Sequence, residues 1–190
     1  LLIKTILCAS LINPSEMAAR ENLQKVVVAV EGSEESMYAL SWALENLDVR
    51  ATDPNSIEPN PQEGGHFIIL HVQLPASFST GLNPGAIPFS GPNEFEVPAF
   101  AAAIEAHQKR ITEAIMDRAL EICREKNAAV ETMVVVGDPR EKICEVVETN
   151  GADLLVVGSR GLSPIKRMFL GSVSTHCSVC ARCPVIIVKS

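Results

Sequence analysis

The residues from Gly158 to Ser174 concentrate the chemistry of this chain. Glycines stand at 158, 161 and 171, hydroxyls at Ser172 and Ser174, and cations at Arg160, Lys166 and Arg167, with no acid between them. Glycine lets a backbone approach a bulky anion closely and adopt positive φ. Gly171-Ser172 reads as a helix opening, whose free N–H groups and dipole attract negative charge. This combination suits a di- or triphosphate. The same residues also fit a surface loop capped by an ordinary helix start. The chain carries neither the P-loop pattern nor the GxGxxG dinucleotide fingerprint, so a phosphate here would be held in another way. A second turn, Ala29-Val30-Glu31-Gly32-Ser33, carries a carboxylate, a glycine and a hydroxyl directly after an apolar run.

Both turns need elements to position them. Lys25–Val30 (KVVVAV) is short, β-branched and continuously apolar, as a strand buried on both faces of a parallel sheet reads. Ser33 suits an N-cap and Glu34 and Glu35 the first turn of a helix carrying Met37, Leu40, Leu44 and Leu47 at helical spacing. Further strands are expected at Phe67–Gln73, Val130–Val136, Leu154–Val157 and Val185–Val188. A long helix should run from about Val97 to Lys126, with Phe100, Ile104, Ile111, Ile115 and Ile122 along one face. Gly137-Asp138-Pro139 should end the third strand and open another helix, and a last helix is expected near Ser172–Ala181. Regular alternation of strands and helices predicts a single α/β domain with a parallel sheet and right-handed crossovers. Ligands of such sheets bind beyond the carboxyl ends of the strands, where the strand order reverses. The Pro/Gly-rich stretch 74–98 is long enough to act as a lid or a docking segment.

A net charge of −7 argues against nucleic acid as the main partner, since such binders need a positive footprint. No stretch reaches the ~18 to 20 apolar residues that span a bilayer. Residues 1–22 are expected to be an extension outside the fold, leaving 23–190 as the domain. With no convincing signal sequence the expected compartment is the cytoplasm, where the cysteines at 8, 123, 144, 177, 180 and 183 would be thiols.

The pattern Gly158, two residues, Gly161, nine residues, Gly171-Ser172 resembles the nucleotide-binding signature of the universal stress proteins. Lys25–Ser33 resembles that family's first strand and turn, Leu70–Val72 its second strand, Val136–Pro139 its glycine-x-proline turn, and Cys183-Pro184-Val185 through Lys189 its closing strand. Val157–Leu162 and the long insert after strand two resemble the plant branch. The resemblance implies a Rossmann-like domain with a five-stranded parallel sheet in order 3-2-1-4-5 and helices on both faces. It implies an ATP or AMP ligand, with Mg²⁺ left open. Ala29, Val30 and Glu31 would flank the adenosine, and Val72 would hold the adenine edge through its backbone. Val157, Gly158, Arg160 and Gly161 would cover ribose and α-phosphate, and Gly171, Ser172, Val173 and Ser174 would take the outer phosphates. It implies a homodimer through the last strand, Val185–Lys189. The family usually has aspartate where Glu31 stands, which leaves backbone contacts there intact and the reach of the carboxylate altered.

The function this implies is nucleotide-dependent sensing or regulation in stress response, with slow ATP hydrolysis as the alternative. Ser33, Ser172 and Ser174 have no His or Asp at a recognisable catalytic spacing, and His71 and His107 read as core or groove residues. Cys177, Cys180 and Cys183 form a C-x2-C-x2-C run behind His176, a spacing that also resembles part of a metal or redox site. On a helix, 177 and 180 share a face with Val173, so the competing expectation is that they pack against the sheet.

Overall fold

The computed structural model of the protein describes residues 6–8, 23–47, 49, 66–75, 96–128, 130–159 and 171–189. In chain order the elements are β1 (Ile6–Cys8), β2 (Lys25–Val30), α1 (Glu34–Asn46), β3 (His66–Gln73), α2 (Glu96–Glu125), β4 (Val130–Val136), α3 (Pro139–Thr149), β5 (Leu154–Gly158), α4 (Ser172–Cys180) and β6 (Val185–Val188). The strands form one sheet in the order β1-β6-β5-β2-β3-β4. From β2 onward every pairing is parallel. The five strands expected from sequence therefore lie in the order 3-2-1-4-5, and the order reverses between β2 and β5.

β2, β3, β5 and β6 face two hydrophobic layers, as their apolar runs require, whereas the edge strand β4 leaves Val134 and Val136 exposed. On β2, Val26, Val28 and Val30 point into a core covered by Leu40 and Ala43 of α1 and Met116, Ala119 and Cys123 of α2. Val27 points the other way, into a core shared with Ile143 and Val147 of α3 and Cys177 of α4. Leu40, Ile68, Ile69, Leu70, Leu155 and Ile187 are almost wholly removed from water, each contributing about 1.5–3 kcal/mol. Ser33 caps α1 by accepting from the Ser36 N–H, and Asp138 caps α3 ahead of Pro139. The tight β2–α1 connection is reached through Gly32 at φ +83°, a left-handed conformation that an L side chain would strain.

Three expectations are corrected. His107 lies exposed on α2 and belongs to neither core nor groove. Ile111, on the expected apolar stripe, keeps 47% of its surface, because it faces the cleft described below rather than the sheet core. Cys180 is exposed while Cys177 is buried, so the two do not share the sheet-facing side of α4. The sequence also gave no sign of β1: Ile6–Cys8 run antiparallel to β6, with Ile6 opposite Ile187 and Cys8 opposite Val185. Residues 76–95, most of the segment expected to act as a lid, lie outside the described residues.

Candidate functional site

The carboxyl ends of β2, β3 and β5 open into a cleft of about 370 Å³. The first turns of α1, α3 and α4 border it, and Gln108, Ile111, Thr112 and Ile115 of α2 form one wall. Ten of the twelve expected site residues line it: Ala29, Val30, Glu31, Val72, Val157, Gly158, Gly171, Ser172, Val173 and Ser174. The other two, Arg160 and Gly161, lie outside the described residues, as do Lys166 and Arg167. The two turns picked out from sequence thus come from distant parts of the chain to face one space at the switch point.

The β2–α1 side is closed by its own hydrogen bonds. The Glu31 N–H donates to Ser36 Oγ at 3.2 Å, and Ser36 Oγ donates to the Ser33 carbonyl at 2.9 Å. The Ser36 N–H donates to Ser33 Oγ at 3.2 Å, and Ser33 Oγ donates to Glu31 Oε1 at 3.2 Å. The longer side chain of Glu31 therefore folds back onto the N-cap of α1. On the cleft floor His71 is buried and bonds Val30 O through Nδ1 at 2.9 Å, which fixes β3 against β2.

The β5–α4 side is organised differently. Gly171 is the N-cap of α4 and supplies no side-chain bond to the turn that follows. Ser174 is buried, and its hydroxyl donates to the Gly171 carbonyl at 3.0 Å. Ser172 borders the cleft through the same first turn. Gly158 has a reason for lacking a side chain besides phosphate approach: a Cβ there would lie 2.9 Å from the Glu35 carbonyl oxygen and 3.1 Å from Ser36 Cα. At the third helix start, Arg140 grips the Asp138 carboxylate, Nη2 at 2.6 Å from Oδ2 and Nε at 3.1 Å from Oδ1. Those guanidinium bonds, with the Arg140 N–H donating to the same carboxylate, hold Asp138 down to about 2.

Sequence reasoning missed the α2 wall. Thr112 donates to Gln73 Oε1 at 3.0 Å and Gln108 donates to the Leu74 carbonyl at 3.2 Å, tying α2 to the end of β3. The signal available was a polar pair four residues apart, hence on one helix face, beside an apolar stripe. Among the described lining residues there is no lysine or arginine, and the acids are Glu31 and Glu35. No group of three His, Cys, Asp or Glu side chains is placed to hold a metal among the described residues.

A doubly wound parallel sheet with its cleft at the switch point, bordered by helix N-termini, defines the Rossmann-like class of small-molecule binding domains. Residues 22–189 match the Universal stress protein family, and the chain belongs to that family. It is 31% identical to universal stress protein YxiE of Bacillus subtilis, over 87% of this chain and 98% of that one. Among solved structures it resembles the protein MJ0577 of Methanocaldococcus jannaschii, with a TM-score of 0.63 and 21% identity over 88% of this chain and 96% of the other. It also resembles a universal stress protein family protein of Arabidopsis thaliana solved with AMP bound, with a TM-score of 0.54 and 26% identity over 87% and 91% of the two chains. These relatives come from a bacterium, an archaeon and a plant. No helix among the described residues is long and apolar enough to cross a membrane.

Proposed function

We propose that this protein binds an adenine nucleotide, ATP or AMP, in the switch-point cleft and acts as a nucleotide-dependent sensor or regulator in stress response. The observation that carries this reading is the meeting of Ala29–Glu31, Val72, Val157–Gly158 and Gly171–Ser174 around one space. The AMP-bound plant relative supports the choice of ligand. Adenosine lies against Ala29, Val30 and Glu31, with Val72 holding the adenine edge through its backbone. Ribose and α-phosphate meet Val157, Gly158, Arg160 and Gly161, and the outer phosphates meet the first turn of α4. That turn suits an anion, because Gly171 leaves its N–H groups without a side-chain cap. Mg²⁺, when ATP is the ligand, rests mainly on the phosphate oxygens and water, since the acids of the described cleft are only Glu31 and Glu35. We place the protein in the cytoplasm, in the plant-type branch, with 23–190 as the domain and 1–22 as an extension whose strand β1 joins the edge of the sheet. A homodimer through Val185–Lys189 fits an apolar last strand, and it requires β1 to leave that edge.

Denaturing the purified protein and identifying released nucleotide by mass spectrometry tests the central claim. Release of ATP or AMP, or a thermal shift on adding either, is the expected result. Neither release nor shift would overturn it. Binding without chemistry predicts that bound ATP survives hours of incubation, and repeated turnover would replace the sensor by a hydrolase.

A further inference from the structure

The cleft crosses the strand ends, and its two flanks carry different chemistry. On one face of the sheet it is bordered by the first turns of α3 and α4. On the other face, β3 sends Phe67 and Ile69 into the core under α1 and α2, so His71 and Gln73 follow on that same side. Both line the cleft. His71 keeps only 6% of its surface. Its Nδ1 lies 2.9 Å from the Val30 carbonyl, which can only accept, so Nδ1 carries the proton and the neutral ring presents a lone pair at Nε2. Nε2 has no partner among the described residues, where no side-chain nitrogen is both buried and unpartnered, so it opens into the cleft. Gln73 offers the opposite group. Its Oε1 accepts from the Thr112 hydroxyl at 3.0 Å, which leaves the Nε2 hydrogens for a ligand. The Gln73 carbonyl accepts from the Gly137 N–H at 3.0 Å, and Gln108 donates to the Leu74 carbonyl at 3.2 Å, so the end of β3 is held on both sides.

We infer that His71 Nε2 and the Gln73 side-chain amide form a base-reading pair, an acceptor beside a donor, that selects a purine with an amino group next to a ring nitrogen. This pair rests on the nucleotide reading above and supplies its base specificity. Adenine satisfies both members. Its N6 amino group donates to His71 Nε2, and its N7 accepts from Gln73 Nε2, which leaves the N1 edge to the Val72 backbone. Hypoxanthine and guanine carry a carbonyl oxygen in place of the amino group, so two acceptors would meet at His71. A purine without a substituent there leaves Nε2 unpaired. The ring cannot turn over to compensate, because that would break the Val30 bond in an almost wholly enclosed position. An enclosed polar atom left unpaired is what lets a hydrogen-bonding site discriminate more strongly than an apolar one. Thr112 is a positioning residue: by holding Oε1 it keeps the donor side of the amide toward the base. With the base on the α2 side and the phosphates at the first turn of α4, one ligand spans the switch point.

The test is calorimetric titration of the full chain, native and His71→Asn, with AMP and with purine riboside 5′-monophosphate, which lacks the amino group. The asparagine amide can still donate to the Val30 carbonyl but presents nothing at the Nε2 position. The native protein should bind AMP roughly tenfold or more tighter than the analogue, and in His71→Asn that preference should largely disappear. Thr112→Val should weaken AMP but not 7-deaza-AMP, which has no N7 to accept from Gln73. Equal affinity of the native protein for AMP and the analogue, or a preference unchanged in His71→Asn, would overturn the base-reading pair and leave the nucleotide site standing. Binding of neither ligand to the native protein would overturn both. The two ligands compared on the native protein decide the matter even where a variant folds poorly.

Discussion

The two sides of the cleft solve the problem of a helix start in opposite ways. At β2–α1, Ser33, Ser36 and Glu31 satisfy one another, so the turn is complete without a ligand. At β5–α4, Gly171 contributes no side-chain cap to the first turn of the helix. On the proposed reading, one side serves as a fixed wall and the other as a receptor for charge. A turn that has spent its donors on itself shapes a pocket, while a turn that has not can hold an anion.

Four changes would break or sharpen this contrast. Gly158 sits where the two sides touch, so Gly158→Val should be the most damaging. Its side chain would drive into the Glu35 backbone, costing about 3 kcal/mol and lowering Tm by roughly 10 °C for a domain of this size. A melting curve like that of the parent would show that the close approach is not a constraint. Gly171→Asp should separate stability from binding. The new carboxylate would cap α4 and raise stability by a few tenths of a kcal/mol, while its charge and lost donors weaken AMP binding at least tenfold. Unchanged affinity by calorimetry would remove the charge-receiving role of that turn. Ser33→Ala should cost about 1 kcal/mol through the lost cap and leave AMP affinity within a few-fold. A large loss of affinity would mean that the Ser33 hydroxyl itself serves the ligand rather than the cap.

The smallest effect concerns the third helix start. Asp138 is held down to about 2, first by its side-chain bonds from Arg140. A depressed carboxyl stabilises the folded state above the ordinary aspartate value near 3.9, and that contribution fades as pH falls toward 2. Carboxyl chemical shifts followed by NMR should show Asp138 still ionised at pH 3, when ordinary aspartates are largely protonated, and a midpoint raised toward the ordinary value in Arg140→Ala, which keeps the backbone N–H bond. A midpoint near 3.9 in the parent protein would contradict the Arg140 grip.

The sheet was legible because strands buried on both faces must be continuously apolar, and KVVVAV, FIILHVQ and VIIV leave little alternative. The two turns were legible because glycines and hydroxyls directly follow such runs. The α2 wall was not, since helical spacing gives a stripe but not how far a helix slides along the sheet, and that offset brings Gln108 and Thr112 to the cleft. Gly158 was read for its ligand face alone, because the approach of Glu35 comes from a segment more than a hundred residues away. The thiols divided by the same logic. Spacing placed Cys177 and Cys180 together, whereas packing buries Cys177 in one layer with Ile143 and Val147 of α3 and leaves Cys180 exposed.

The short strand β1 has a consequence for assembly. Ile6–Cys8 cover the β6 edge from within the same chain. A covalently tethered competitor meets its target at an effective concentration on the order of millimolar, whatever the amount of protein present. A second copy at micromolar concentration has to outcompete it for the same backbone donors and acceptors. Any self-association along β6 would therefore depend as much on displacing β1 as on the fit of one β6 to another.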